Sequence, residues 1–264
     1  MTEILSTFNR DGVALIKNCL DDSYINPLRD EYNKLNDNVT NIDIPMNEPI
    51  VVLWTHVQGE QKRIVSLKDF PTLQNVIKKL IIPTLRNNLK EKAKRLQLLE
   101  NVIFNKPPTK DNTLQWHQDV SYFPLKPNNQ IAVWFTLDVV TKERGALCYA
   151  LGSHKLGARG STSLHTREKY DNENRPLIPE NPETEGLKTK IFEMTQNDML
   201  VHDGFTWHYS GPNQIDGFIR KGFSVRFITN ETVFDPRPGQ GAAFTKQINI
   251  KPGEKLIGNA FPLM

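Results

Sequence analysis

A chain of 264 residues with 38% hydrophobic content can bury one sizeable core, and no apolar stretch approaches the ~20 residues of a membrane span. A net charge of +3 with no run of five or six like charges gives no call for nucleic acid; the mixed stretch Leu89–Arg95 reads as a solvated helix face. Two cysteines, Cys19 and Cys148, cannot build a disulfide framework. The N-terminus lacks a secretory pattern, and the C-terminus Phe261-Pro262-Leu263-Met264 is not a peroxisomal address of the S-K-L kind, so a reduced, cytoplasmic setting is expected.

Residues 5–20 alternate loosely, and Asp11-Gly12 is a turn signal before a short strand at Val13–Ile16. Asp21-Asp22-Ser23 offers an N-cap, and Ile25, Leu28, Tyr32 and Leu35 recur at three and four, which predicts an amphipathic helix over 22–36. Pro27 fits that helix only in its first turn. Residues 37–62 read as irregular, except that 51–55 forms a strand in either of two settings, a substrate wall or a packed edge. Pro71 suits a helix start. Leu73, Val76, Ile77, Leu80 and Ile81 form its stripe, Pro83 interrupts it, and Leu85, Leu89, Ala93 and Leu96 continue it.

From about residue 99 short apolar runs alternate with turns. Strands are predicted near 100–105, 131–138, 146–151, 189–194, 198–202 and 221–229, the spacing of a β-sandwich or barrel. Residues 155–188 are polar and aperiodic, as lids and binding loops often are. Their Lys155, Arg159, His165, Arg167 and Lys169 either meet an anionic substrate or form a solvated surface.

The chemistry concentrates in His117-Gln118-Asp119. Residues two apart in a strand share a face, so one imidazole and one carboxylate can reach the same metal ion. A second histidine would complete the 2-His-1-carboxylate set of non-haem iron oxygenases and leave three octahedral positions open. His208, ending a strand-like piece before the turn Ser210-Gly211-Pro212-Asn213, is the preferred third ligand. His202, after Met199-Leu200-Val201, is its competitor and reads as a packed or hydrogen-bonded histidine. Farther on, Phe223, Val225 and Phe227 fall on one strand face, and Arg220, Ser224 and Arg226 on the other. One arginine is a candidate for bidentate carboxylate binding, and Arg226 alternatively for a structural ion pair or a solvated edge.

Four ordered motifs carry a resemblance that runs from Phe8 to about Phe234: Asn105-Lys106-Pro107-Pro108; His117-Gln118-Asp119 with Tyr122-Phe123-Pro124; Gly145-Ala146-Leu147 leading to Gly152-Ser153-His154-Lys155; and His208 with Ser210-Gly211-Pro212-Asn213 and Arg220-Lys221. The chain resembles the phytanoyl-CoA dioxygenase family of Fe(II)/2-oxoglutarate-dependent oxygenases. The resemblance implies a mainly β (α+β) fold, a double-stranded β-helix or cupin-like jelly roll with helices from the N-terminal part packed outside. It implies His117, Asp119 and His208 as iron ligands, Arg220 for the distal carboxylate of 2-oxoglutarate with Ser210 assisting, and Trp134 lining the co-substrate pocket. The spacing from His208 to Arg220 is one residue longer than in the family's best-known member, and that from Asp119 to Trp134 one shorter, so Arg226 stays open as the alternative arginine. His154 is expected to be structural and Cys148 a small core residue.

The implied reaction takes Fe(II), 2-oxoglutarate and O2, releases succinate and CO2, and hydroxylates a small molecule. A carboxylate at Asp119 fills the place of the halide in related halogenases, so halogenation is not expected. A single domain over 1–264 is expected, with an N-terminal strand and helix region to about 98, a jelly-roll core over about 99–235 and a C-terminal tail over 236–264. The chain would act as a monomer or homodimer. Lys106, Tyr122 and Phe123 are further candidates for the pocket. The competing readings are a cupin-type metal enzyme that does not use 2-oxoglutarate and a non-catalytic barrel that binds a ligand.

Overall fold

The computed structural model describes residues 2–35, 47–56, 61–109, 112–236 and 249–264. The chain opens on a helix, α1 (Glu3–Asp11), where loose alternation had suggested none. Thr2 caps it by accepting the N–H of Leu5, Phe8 is buried on its inner face, and Gly12 ends it at φ 80°. Strand β1 (Val13–Ile16) follows. Helix α2 (Asp22–Asn33), capped by Asp21, holds Pro27 as its sixth residue, past the first turn. The amide that proline lacks would have bonded the Ser23 carbonyl; burial of Ile25 and Leu28 against the core offsets that loss.

Strand β2 (Ile50–Thr55) was anticipated, but β3 (Gln61–Ser66), which begins at the end of the stretch read as irregular and was not anticipated, pairs with it antiparallel. The helical pattern predicted over 71–96 with an interruption at Pro83 is divided just before that proline: α3 (Pro71–Val76) and α4 (Ile82–Leu89) flank a wide turn over Ile77–Ile81. There the N–H of Ile82 bonds the Ile77 carbonyl five residues back. This widening accommodates Pro83, which has no N–H to continue the ladder. The helix stops at Leu89 because Lys90 takes φ 54°, and a 3-10 turn over Lys90–Ala93 leads into β4.

Strands β4 (Leu96–Lys106), β5 (Leu114–His117), β6 (Leu125–Lys126), β7 (Ile131–Thr136), β8 (Leu147–Ala150), β9 (Thr189–Phe192), β10 (Met199–Asp203), β11 (His208–Ser210), β12 (Arg220–Thr229) and β13 (Val233–Phe234) complete the fold. The six predicted β segments all appear, while β5, β11 and the β6–β13 pair were not resolved in the pattern because they are only two to four residues long. Seven strands form a sheet in the order β1-β10-β7-β12-β4-β2-β3, antiparallel except where β2 runs parallel to β4. Four form the facing sheet β5-β11-β8-β9. This is the expected double-stranded β-helix.

Alternation along β12 assigns the two faces. Phe223, Val225 and Phe227 join Phe8, Ile25, Leu28, Leu73 and Leu85 in a core between the large sheet and the helices. Arg220, Ser224 and Arg226 point inward, toward the small sheet. The register aligns His202, Ala132, Arg226 and Glu100 in one row across β10, β7, β12 and β4. It also sets Arg220 opposite Lys106 six positions along.

Candidate active site

The two histidines come from neighbouring strands of the small sheet. His208 pairs with His117, and the ring centroids lie 4.1 Å apart. His208 begins β11; the strand that precedes it closes earlier, at Asp203. Asp119 is not in the strand with His117 but opens a 3-10 turn, Asp119–Tyr122. Gln118 between them is extended at φ −124° and ψ 142°, so the shared face survives the end of the strand. His117, Asp119 and His208 are all buried, with one donor atom from each within 4.8 Å of the others.

Hydrogen bonds decide which ring nitrogens face inward. His117 Nδ1 is 2.7 Å from the Gln115 carbonyl and His208 Nδ1 is 3.0 Å from the Thr206 carbonyl. A carbonyl only accepts, so Nδ1–H donates in both rings and each Nε2 keeps its lone pair for the centre. Burial holds His117 below the ordinary histidine range. It holds His208 well below, reinforced by the neighbouring imidazole of His117. Both are thus neutral, the state in which imidazole binds a metal.

Asp119 is held from behind. Arg226 donates to both its oxygens, Nε to Oδ2 and Nη2 to Oδ1, each at 3.1 Å. His202 Nε2 lies 3.3 Å from Oδ2, and its Nδ1 is 3.0 Å from the Tyr149 hydroxyl. A nitrogen facing a carboxylate must carry the proton, so Nε2–H donates to Asp119 while Nδ1 is taken up by the Tyr149 hydroxyl. His202 therefore has no lone pair to offer a metal here. Burial pushes Asp119 up, but Arg226, His202 and His208 outweigh it and hold the carboxyl well below its usual range. The free lone pair of Oδ1 looks toward His208 Nε2, 3.9 Å away. Arg226 also donates to Glu100 at 2.9 Å, and burial raises that carboxyl.

Arg220 sits at the other end. Its Nη1 donates to the Gly145 carbonyl and, at 3.1 Å, to Ser210 Oγ. Lys106 Nζ donates to the same Oγ at 2.7 Å. Both cations are buried, and burial lowers Lys106 well below its usual range and Arg220 to about 10. Neither has an acidic partner among the described residues, whereas Arg226 has two. The Trp134 ring lies 5.4 Å from the Arg220 guanidinium, and Gly222 lies beneath it: a Cβ there would come within 2.7 Å of Trp134 Cζ2.

Between these ends lies a cavity of about 150 Å³. Val52, Trp54, Val102, Phe104, Leu114, Tyr122, Phe123 and Leu147 give it mostly apolar walls. The stretch over 51–55 is thus both packed and part of the wall. Segment 155–188 is the roof, contributing Ser163, Leu164 and Tyr170. Gln118 ties roof to floor: its amide donates to the Gly157 and Phe205 carbonyls and accepts from the Arg159 N–H. Tyr122 donates to the Thr162 carbonyl at 2.7 Å. The five basic loop residues do not line the cavity. Lys155 bonds the Arg10 carbonyl, Arg159 pairs with Glu185, and Arg167 bonds the Ile178 carbonyl. Burial pushes the Cys148 thiol up to about 11, which fits a packing role, and His154 lies 3.2 Å from the Asn9 carbonyl.

Two inward imidazole Nε2 atoms and one carboxylate oxygen are the donor chemistry of a divalent first-row metal, so the residues present fit an iron ion. The arrangement of the row behind Asp119 had no signature in the sequence beyond the face shared by Arg226 and Ser224. The partnership of Lys106 with Ser210 depends on two strands from opposite sheets.

A model of the phytanoyl-CoA dioxygenase (PhyH) family matches residues 8–222. Among curated proteins, human phytanoyl-CoA dioxygenase, peroxisomal, is 23% identical over 96% of this chain and 73% of that protein. A probable alpha-ketoglutarate-dependent hypophosphite dioxygenase of Stutzerimonas stutzeri is 28% identical over 50% of this chain and 44% of that protein. Among solved structures, the non-heme alpha ketoglutarate dependent carbocyclase SnoK from nogalamycin biosynthesis superposes with a TM-score of 0.71 at 20% identity, covering 100% of this chain and 96% of that one. The epimerase SnoN from the same biosynthesis gives 0.70 at 19% identity, covering 98% and 96%.

Proposed function

The chain belongs to the phytanoyl-CoA dioxygenase family of iron- and 2-oxoglutarate-dependent oxygenases, and we propose that it hydroxylates an unactivated C–H bond of a small, largely apolar molecule. The observation that carries the reading is the division of the cavity into three parts: a 2-His-1-carboxylate cluster, a buried arginine without an acid partner among the described residues, and an apolar wall between them. His117 and His208 would hold the iron through Nε2 and Asp119 through Oδ1. When bound, iron with 2-oxoglutarate and O2 supplies the oxidation, one oxygen atom going to the substrate and one to succinate as CO2 leaves.

The protein's own residues do the rest. Arg226 and His202 fasten the Asp119 carboxylate, leaving one lone pair for the metal. Arg220 and Ser210, which lies two residues beyond His208 on β11, would bind the distal carboxylate of 2-oxoglutarate. Trp134 offers a flat face beside it. Val102, Phe104, Leu164 and Tyr122 exclude water from the place where a substrate C–H bond must lie. Because Asp119 fills the carboxylate position, no halide position is left open, and the product is an alcohol. The relatives named carbocyclase and epimerase share the fold; which two-electron outcome follows depends on how the wall places the substrate.

We further propose that residues 1–264 act as a single catalytic domain, a monomer or homodimer, in the cytoplasm. Both cysteines are free thiols, and among the described residues no helix is long and apolar enough to cross a membrane. The test is anaerobic addition of Fe(II) and then 2-oxoglutarate, followed by visible absorption. A weak charge-transfer band that needs both additions, and substrate-dependent succinate formation, are expected. Iron binding without a band would favour a cupin-type enzyme, and no iron binding a non-catalytic barrel. A chlorinated product in chloride buffer would refute the hydroxylation reading.

A further inference from the structure

Glu100 lines the cavity and is only 7% exposed, yet it is not one of the three residues gathered for a metal. It stands at the Arg226 end. Glu100 pairs with Arg226 across the β4–β12 ladder, six positions from Arg220, so it lies away from the place assigned to the distal carboxylate of 2-oxoglutarate. Arg226 Nη1 donates to Glu100 Oε1 at 2.9 Å, while Nε and Nη2 of the same guanidinium are committed to Asp119. One guanidinium thus serves two carboxylates, and Asp119 takes two of the three bonds. Among the described residues the Glu100 carboxylate has no other hydrogen-bond donor. Its second oxygen, Oε2, is not among the polar atoms sealed inside the protein without a partner, so it opens on the cavity that Glu100 lines. The inward neighbours are apolar: Val102 is the next cavity-lining residue on β4, and Val52 pairs with it on β2. Solvent entering an open cavity can satisfy that oxygen, but a ligand that fills the cavity displaces solvent. A wholly apolar ligand would leave a buried carboxylate oxygen without a donor, which is more unfavourable than leaving a neutral group so.

We propose that Glu100 is a specificity-determining residue: the substrate carries a hydrogen-bond donor, a hydroxyl or a protonated amine, on an otherwise apolar body, and gives it to Glu100 Oε2. The proposal rests on the cavity being the substrate site of the oxygenase, and deepens that reading by naming the substrate's polar group. Hydroxyl and amine share the one property the oxygen needs, a polar hydrogen. A group that only accepts, such as a ketone, an ether or a carboxylate, meets repulsion there, so the same oxygen selects against it. Arg226 fixes the carboxylate through Oε1, which leaves Oε2 pre-positioned for the ligand.

The probes are cyclohexanol, cyclohexylamine and methylcyclohexane, one ring bearing a hydroxyl, an ammonium or a methyl group. Each is titrated calorimetrically into the full chain saturated with Mn(II) and 2-oxoglutarate. In the wild type the alcohol or the amine is expected to bind at least tenfold more tightly than methylcyclohexane, the size of one hydrogen bond to a charged group. Glu100→Leu should abolish that preference. Glu100→Gln separates the two donors: it keeps an acceptor but no charge, so a preference retained there assigns a hydroxyl and one lost there a cationic amine. Circular dichroism and Mn(II) affinity check that the variants fold and keep the metal site. If Glu100→Leu does not fold, the wild-type ranking decides, since it needs no variant. Methylcyclohexane binding as tightly as the other two, a preference unchanged in Glu100→Leu, or no binding of either donor probe overturns the proposal. The anaerobic Fe(II) and 2-oxoglutarate band is recorded on the same protein. If the band forms while the ranking fails, the role of Glu100 falls and the oxygenase reading stands; if the band is absent, both fall together.

Discussion

Replacing Arg226 with Met tests the buried row behind Asp119. The guanidinium makes three charge-assisted hydrogen bonds, two to Asp119 at 3.1 Å and one to Glu100 at 2.9 Å. Arg226, Glu100 and Asp119 are 8%, 7% and 2% exposed, so water cannot replace the lost cation. Removing one partner of a buried ion pair costs about 3–5 kcal/mol because the other is left uncompensated, and here two carboxylates are left. At ~2 °C per kcal/mol for a chain of this size, the metal-free protein should melt roughly 6–10 °C lower. The pH dependence has a definite sign. In the wild type Asp119 titrates well below its ordinary value, so its stabilisation is present above about pH 4 and is lost as pH falls through the folded value. In the variant burial dominates and raises both carboxyls, and protonation relieves the strain. The deficit should therefore be largest at neutral pH and shrink toward pH 5. A divalent metal returns positive charge to Asp119, so Mn(II) should raise the melting temperature of Arg226→Met more than that of the wild type. Calorimetric melting of metal-free and Mn(II)-saturated proteins at pH 7.5 and 5 measures all three effects. A loss under about 1 kcal/mol, with equal metal shifts, would refute the argument that Arg226 compensates Asp119.

Further outcomes follow from the same geometry. His208→Ala should lose stoichiometric Mn(II) binding while His202→Ala keeps it, because His202 gives Asp119 a proton and no lone pair; the reverse result in equilibrium dialysis would exchange their roles. Gly222→Ala should lower stability by about 1–3 kcal/mol and weaken 2-oxoglutarate binding, since the new methyl meets the Trp134 ring; unchanged melting and affinity would show that the ring moves freely. The His117 and His208 rings are held below the ordinary histidine value of 6.5, so protons should not compete for the metal above it. Metal affinity should be flat from about pH 8 to 6.5 and begin to fall only at a pH below the ordinary value, whereas metal-free stability begins to fall as pH drops through that value. A tenfold loss of affinity between about pH 7.5 and 6.5 would contradict the buried neutral state.

The large sheet was legible because β4, β7 and β12 are long or strongly apolar, and β12 showed its two faces outright. The His117, Asp119 and His208 cluster could be proposed from a two-residue spacing and one later histidine. That spacing was attributed to a strand that in fact ends at His117; the extended Gln118 preserved the outcome. In the small sheet β8 and β9 were legible but their pairing with β11 was not, because β11 is three residues long and takes its partners from segments 59 to 63 and 91 to 96 residues away. The N-terminal helix was missed since its nine residues bury only Phe8 and its signal lies in caps at Thr2 and Gly12. Arg226 could be placed on a face and Lys106 named as a pocket candidate, but neither could be paired, because Asp119 and Ser210 reach them across the interior.

The β2–β3 ribbon occupies the outer margin of the large sheet, yet it supplies Val52, Trp54 and Lys62 to the cavity. Of the proposed metal ligands, His117 and His208 belong to the opposite sheet and Asp119 to the turn that follows it, and none depends on the ribbon's backbone pairings. Mutational drift in that ribbon can therefore reshape what the cavity accepts while the oxidising machinery is inherited intact. A lineage built this way diversifies its substrates by peripheral change, and directed evolution toward a new substrate has its natural library at positions 52, 54 and 62.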